Sequence, residues 1–489
     1  MNRHTKIEGT IASGPGSAGV PPAGFGVPAE TNFHGRGVSK KIARNKKSAK
    51  AGTPSPTGGT PVLPGFSPSS RALFLIALAL IFTRVVIAET PQQKRGVITD
   101  HGAKGDGQTL NTKAIQSAID ECAKDGGGVI VVPRGVFITG SIFLKPGVNL
   151  LVEKDGVLKG SGDTKDYPKM KTRIEGHFEE WLPALVNADK CDHLRISGPG
   201  TLDGNGAPFW KAFGDQRKVD PKAKNLDVPR PRLALIQNSD DVQISGVVFK
   251  DSSLWNLHLY RCKNVVVEKS RFEVPPGAKC PSTDGTDIDS CQNVTVRDCV
   301  YSVDDDCVCL KGSKGPFALQ DKDSLPVEHI VVTGCTFERG HGVVTLGSEA
   351  TVIRDVVVEN CRVTGKIPLV RIKVRPDTPQ HYEDIHYRNI TLAGGGAIIE
   401  CRPWAQYFDL RGQPPPQSVV KNVTVSDIKG SFGSFGEIVG NAETTISDIT
   451  LENIDVTLKD AHLKLSGVKN ITTKNVKVNG EAMPTPQVQ

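Results

Sequence analysis

Two acid-rich stretches carry the residues most able to do chemistry. Ser282-Thr283-Asp284-Gly285-Thr286-Asp287-Ile288-Asp289 is followed by Asp304-Asp305-Asp306-Cys307-Val308-Cys309-Leu310-Lys311. Asp284 precedes Asp305 and Asp306 by 21 and 22 residues. In a chain that coils with a period near that length, the two clusters lie one above the other on a single face. Stacked carboxylates repel, so one keeps its proton at a pH where an isolated acid has lost it. A protonated acid beside ionised ones is what glycosidic-bond hydrolysis requires. Calcium binding or solvated turns are the plainer uses of such acids. About one coil later comes Gly340-His341-Gly342, and then Arg371-Ile372-Lys373 puts two cations on one face of a strand. A cation pair on a groove floor suits the carboxylate of an acidic sugar. An ordinary turn histidine and a solvated strand face are the alternatives.

A repeat supplies the period. A polar residue followed by a short β-branched strand recurs at His193, Asp241, Asn264, Asn293, His329, Asp355, Asp384, Asn422, Asp448 and Asn470, in steps of 48, 23, 29, 36, 26, 29, 38, 26 and 22 residues. Steps of 20–30 with Val/Ile/Thr strands and Asn/Asp turns indicate a solenoid. The units are too short for a strand–helix–strand crossover and show no helical period. The 48-residue step is expected to contain two turns. The fold class that follows is all-β: a single-stranded, right-handed parallel β-helix with an N-terminal capping helix. That helix is expected over 111–124, where 114, 115, 118, 119 and 122 form an apolar stripe and Gly126-Gly127-Gly128 ends it. Strands at 128–133, 137–144 and 148–153 open the solenoid.

Four segments result. Residues 1–71 are basic and rich in Gly and Pro, and are expected to be disordered. Residues 72–88 read as a signal-peptide apolar run and cleavage site, implying secretion to an extracellular or periplasmic space. An uncleaved signal anchor with a basic tail, or a start site placed too far upstream, would also account for the long leader. Residues 97–480 form the β-helix domain, and 481–489 a disordered tail.

The chain has 489 residues and a formal charge of +7, but 1–71 alone holds ten Lys/Arg against two acids. The remainder is therefore at −1, which removes the case for a nucleic-acid partner. No stable membrane partner is expected once a signal is cleaved, and a monomer is expected. All eleven cysteines lie after residue 120, and an odd number cannot pair completely within one chain. Cys299, Cys335 and Cys361 each follow a similar strand, which predicts small buried side chains stacked at one repeat position. Export would allow one or two disulfides. No CxxC or paired-His spacing supports a zinc site, and no metal or cofactor is expected.

The order Thr283-Asp284-Gly285, Asp305-Asp306-Cys307, Gly340-His341-Gly342, Arg371-Ile372-Lys373 resembles the polygalacturonases of glycoside hydrolase family 28. Gly102-Ala103-Lys104-Gly105-Asp106-Gly107 and Trp255 ahead of His258-Leu259 extend the resemblance over about 97–480. It implies inverting hydrolysis of α-1,4-galacturonan in pectin-type acidic polysaccharide. It also implies Asp305 as general acid, Asp284 and Asp306 as activators of water, and His341 as the group tuning the acid. Arg371 and Lys373, with Ser282, would bind the substrate. An inverting site calls for ~6.5–9.5 Å between acid and base. The chain departs from the family pattern at Ser282, usually Asn; at Asp304, which makes three acids in a row; at Val374-Arg375-Pro376; and in extra length at 312–328. Exo action is slightly favoured over endo. A β-helical polysaccharide lyase and a non-catalytic carbohydrate-binding or adhesion β-helix are the alternatives. A lyase would give products absorbing near 235 nm, and a binding protein would need no aligned acids.

Overall fold

The computed structural model describes residues 94–404 and 409–486. The chain divides into units 1–88 and 89–489. The expectations of a disordered leader over 1–71 and a signal segment over 72–88 lie outside the described residues, as does the end of the tail at 487–489.

The body is a right-handed parallel β-helix. Among the described residues its coils stack through parallel ladders in one sheet of 32 strands, the last of which, Glu481–Ala482, joins antiparallel. Three rows run its length. The row that matters for function contains Ala234–Gln237, Leu257–Tyr260, Thr286–Asp289, Val308–Lys311, Val344–Leu346 and Val370–Val374, each hydrogen-bonded to the next. Side chains alternate across each strand, so every second residue enters a core and the others face outward. The inward positions are in register. Phe249, Phe272, Tyr301 and Phe337 therefore stack ring on ring, with centroids 4.7, 4.7 and 5.3 Å apart.

All ten repeat residues sit in the left-handed backbone region, at φ between 52° and 60°. That region is costly for most L-residues and tolerated by Asn, Asp and His, whose side chains bond locally. They also bond along the stack: Asn293 Nδ2 donates to Asn264 at 3.1 Å, Asn422 to Asp384 at 3.0 Å and Asn470 to Asp448 at 3.1 Å. Corner and ladder together explain why these residue types recur.

The capping helix, α1 (Thr112–Lys124), buries Ile115, Ala118, Ile119 and Cys122 against the first strands. Two readings need correction. The 48-residue step is one coil, because Arg195 pairs directly with Gln243 and Val186 with Ala234. The extra length is an excursion that includes a second helix, α2 (Ala207–Val219). Its signals were Pro208 in the first turn and the buried trio Phe209, Trp210 and Phe213, too short a stripe to register as a period. At the other end, Glu481–Ala482, expected within a disordered tail, turns back and pairs antiparallel with Lys477 and Val478.

All eleven cysteines are buried free thiols. Cys299 and Cys335 stack as expected, with the Cys299 amide donating to Cys335 Sγ at 3.5 Å.

Candidate active site

The acids meet because of where their loops join the row. Asp284 ends the turn into Thr286–Asp289, and Asp305 and Asp306 end the turn into Val308–Lys311, one coil on. One carboxylate oxygen from each of the three lies within 4.8 Å of the others. This is tighter than the acid–base spacing expected for an inverting site.

Glycines let the turns approach. A side chain at Gly285 would overlap the Cys307 carbonyl and sit 2.6 Å from the Tyr301 ring. One at Gly340 would overlap Cys307 Sγ, and one at Gly342 would overlap Thr345 Oγ1 and lie 2.9 Å from Arg371 Cδ. Tyr301 of the core stack thus limits how the turn at Asp284 can sit, and Gly-His-Gly permits His341 to lie beside Asp305. The His341 amide donates to the Asp305 carbonyl at 2.8 Å.

Each acid has its own electrostatic setting. Asp306 is wholly buried and saturated: Lys373 Nζ donates to it at 2.6 Å, Arg371 Nη1 at 3.0 Å and Thr345 Oγ1 at 2.8 Å. Burial alone would raise its pKa, but the charges of Lys373 and Arg371 hold it well below the usual carboxylate range. Arg371 and Lys373, expected to bind substrate, are therefore first of all the partners of Asp306. Asp305 faces the cleft, with 26% of its side chain exposed, and lies 3.3 Å from His341 Nδ1. Burial pushes Asp305 up, but the His341 hydrogen bond and the nearby cations leave it lowered. That same hydrogen bond raises His341.

Asp284 is only 3% exposed, and burial, with the charges of Asp305 and Asp306, pushes its pKa up to about 7. The three acids thus form a coupled set that holds a proton near neutral pH. Its carboxylates are already neutralised by Lys311, Lys373 and Arg371, which makes it a proton-sharing group rather than a cation cage.

A second layer was not singled out from the sequence. Lys311 Nζ lies 3.3 Å from Asp284, 3.4 Å from Asp287 and 3.4 Å from Glu349, and 4.4 Å above the Trp255 ring. The available signal was a lysine closing the apolar strand 308–311, two residues from Cys309 and so on the same outward face. Ser282 lies in the cleft wall, where its Oγ accepts from Arg230 at 3.3 Å. Asp304 does not join the trio. It pairs with Arg339 and accepts the Cys280 amide at 2.6 Å, tying down the turn before Asp284.

Asp284 and Asp305 line a cleft of about 770 Å³, with Asp306 buried beside them. One wall carries Trp210, Phe213 and Arg217 of α2; another carries Glu175, Lys314 and Glu349. Cations outnumber acids along the lining, which suits an anionic ligand.

Comparison with known proteins gives consistent results. The profile of Glycosyl hydrolases family 28 matches residues 130–480. A probable polygalacturonase of Vitis vinifera is 29% identical over 306 residues, 60% of each chain. An exopolygalacturonase of Zea mays is 26% identical over 432 residues, covering 82% of this chain and 93% of its own. The crystal structure of a hyperthermoactive exopolygalacturonase from Thermotoga maritima superposes with a TM-score of 0.63 at 24% identity, over 79% of this chain and 92% of that one. It shares the fold.

Proposed function

The chain belongs to glycosyl hydrolases family 28 and is a glycosidase, and we propose that it cleaves α-1,4 galacturonosyl bonds of pectin-type polysaccharide with inversion. The observation that carries this reading is the cluster of Asp284, Asp305 and Asp306, of which Asp284 and Asp305 line a cation-rich cleft.

Asp305 is the general acid. It is the trio member most open to the cleft, and His341 orients it. Before substrate binds, burial puts the shared proton on Asp284. A bound uronate brings another negative charge beside Asp305, which raises the affinity of Asp305 for that proton. Asp284 then carries the charge next to Lys311 and takes a proton from the attacking water, with Asp306 fixed beside it by Lys373 and Arg371. Asp306 is unsuited to act as a covalent nucleophile, because both its oxygens are held by Lys373, Arg371 and Thr345. This favours attack by water despite the short spacing of the acids. Arg371 and Lys373 serve the sugar carboxylate from the positions in which they hold Asp306.

The test uses residues 89–489, wild type and Asp305→Asn, with polygalacturonic acid. Reducing ends are assayed and the first product is observed by proton NMR. The β-anomer from wild type and loss of activity in the variant are expected. The α-anomer first would refute inversion, and an active variant would refute the role of Asp305. Export directed by residues 72–88 would bring the enzyme to extracellular polymer; N-terminal sequencing of the mature protein tests it, and a terminus well upstream of Glu89 would count against cleavage.

A further inference from the structure

The face that carries the acids does not stay open along the solenoid. Towards the N-terminal coils its outward rows continue from Asp287 to His258 and Leu235, and from Asp289 to Tyr260. None of these five is more than 4% exposed. Towards the C-terminal coils the same rows run from Arg371 to Glu400 and Glu437, and from Lys373 to Arg402. There the side chains of Glu400, Glu437 and Arg402 are 21%, 26% and 51% exposed. One direction from the acids is therefore dry protein and the other is open.

The cover is a β-hairpin, Met170–Ile174 and His177–Trp181, laid across the strand face. Glu175 and Gly176 form its two-residue tip, both at positive φ, as a tight hairpin turn requires. Arg173 anchors it from beneath. Its guanidinium donates to Asp289 at 3.1 Å, to Asp321 at 3.1 Å and to Ser313 Oγ at 3.0 Å, and lies 5.0 Å from the Tyr260 ring centre. Arg232 holds the same strand, donating to Thr172 Oγ1 at 2.7 Å and to the Arg173 carbonyl at 2.5 Å. Asp321 and Ser313 belong to the extra segment after Lys311, so Arg173 joins hairpin, sheet face and insertion. At the tip, Lys314 pairs with Glu175 at 3.1 Å, and both line the cleft. A wholly buried arginine is tolerated only when its donors are used, and these are. The cover is a fixed wall rather than a flap.

We propose that this Arg173-anchored hairpin and the insertion at 312–326 close one end of the cleft, so that the enzyme takes the end of an acidic polysaccharide chain and releases one short product. The inference rests on the hydrolase reading of the acid trio and adds the mode of attack. A chain threading the cleft from the middle would need to continue over His258 and Leu235, where there is no room.

The test compares wild type, a variant with residues 172–179 removed, and the tip variant Glu175→Ser/Lys314→Ser on long polygalacturonate. Products are sized at low conversion and viscosity is followed. Wild type is expected to give a single product size with slow loss of viscosity. Both variants are expected to give a series of oligomers and a several-fold faster viscosity loss per bond cut. A ladder of sizes from wild type would overturn the proposal. So would a single product from a hairpin-deleted variant that still melts cooperatively. If deletion unfolds the protein, the tip variant decides: a product profile unchanged from a single-product wild type overturns the role of the wall. No reducing ends from folded wild type would instead overturn the hydrolase reading, and the inference with it.

Discussion

Lys373→Met separates two roles for one cation. In the structure Lys373 Nζ donates to the wholly buried Asp306 at 2.6 Å. Methionine keeps the stem and removes the charge, leaving Asp306 with Arg371 at 3.0 Å and Thr345 at 2.8 Å. Breaking a buried ion pair from one side costs ~3–5 kcal/mol. Because Arg371 remains, the lower end applies. Unfolding entropy of ~2.1 cal/mol/K per residue over a body of about 400 residues gives ~0.8 kcal/mol/K. The melting temperature should therefore fall by about 4 °C at neutral pH. The pH dependence has a definite sign. Asp306 is held well below its unfolded value, so the stability it contributes is present above the unfolded pKa of ~3.9 and is lost as pH falls through the folded value. The gap between wild type and variant should close on acidification. Adding Asp306→Asn to Lys373→Met should restore part of the loss, since the unpaired buried charge goes. Scanning fluorimetry over pH, with the double variant, measures all of this. An unchanged melting temperature at neutral pH, together with a raised KM as the sole kinetic effect, would make Lys373 a substrate ligand and not the keeper of Asp306.

Asp305→Asn should lower kcat by at least ~10²–10⁴, the usual worth of a general acid, with little change in melting temperature. In His341→Gln, loss of the imidazole lets the pKa of Asp305 rise; the acid then stays protonated to higher pH, so the alkaline limb of the pH–rate profile should move up while kcat falls. Gly342→Ala should displace Thr345 and Arg371 from Asp306 and reduce kcat on the order of 10²-fold, the cost of an ångström-scale misplacement; wild-type kinetics would show that the turn has slack. Asn453→Ala, at φ 52° and hydrogen-bonded to Asp427 at 3.1 Å, should cost about 1–2 kcal/mol in urea unfolding and leave kcat unaltered.

Local chemistry made much of the protein legible from its residues. Each of the ten repeat residues marks a left-handed corner, a conformation that favours Asn, Asp and His. The capping helix followed from its stripe and the glycines behind it. The pairing of Asp284 with Asp305 and Asp306 followed from a spacing equal to one coil. The coil count at 193–241 was misjudged because an excursion inside one coil lengthens the step as a second coil would.

Tertiary structure decided what depends on contacts between distant coils. Arg371 and Lys373 are 65 and 67 residues from Asp306 and bind it, a pairing set by stacking register. Lys311 becomes the counter-charge of three acids only when the strands before and after it stack. No repeat or motif marked the hairpin at 170–181, yet Arg173 reaches Asp289, 116 residues on, and fixes the hairpin across the strand face. Period and turn preference are short-range properties of the chain and are written locally. Charge compensation and the blocking of a cleft depend on which surfaces meet, and only the stacked coils bring those surfaces together.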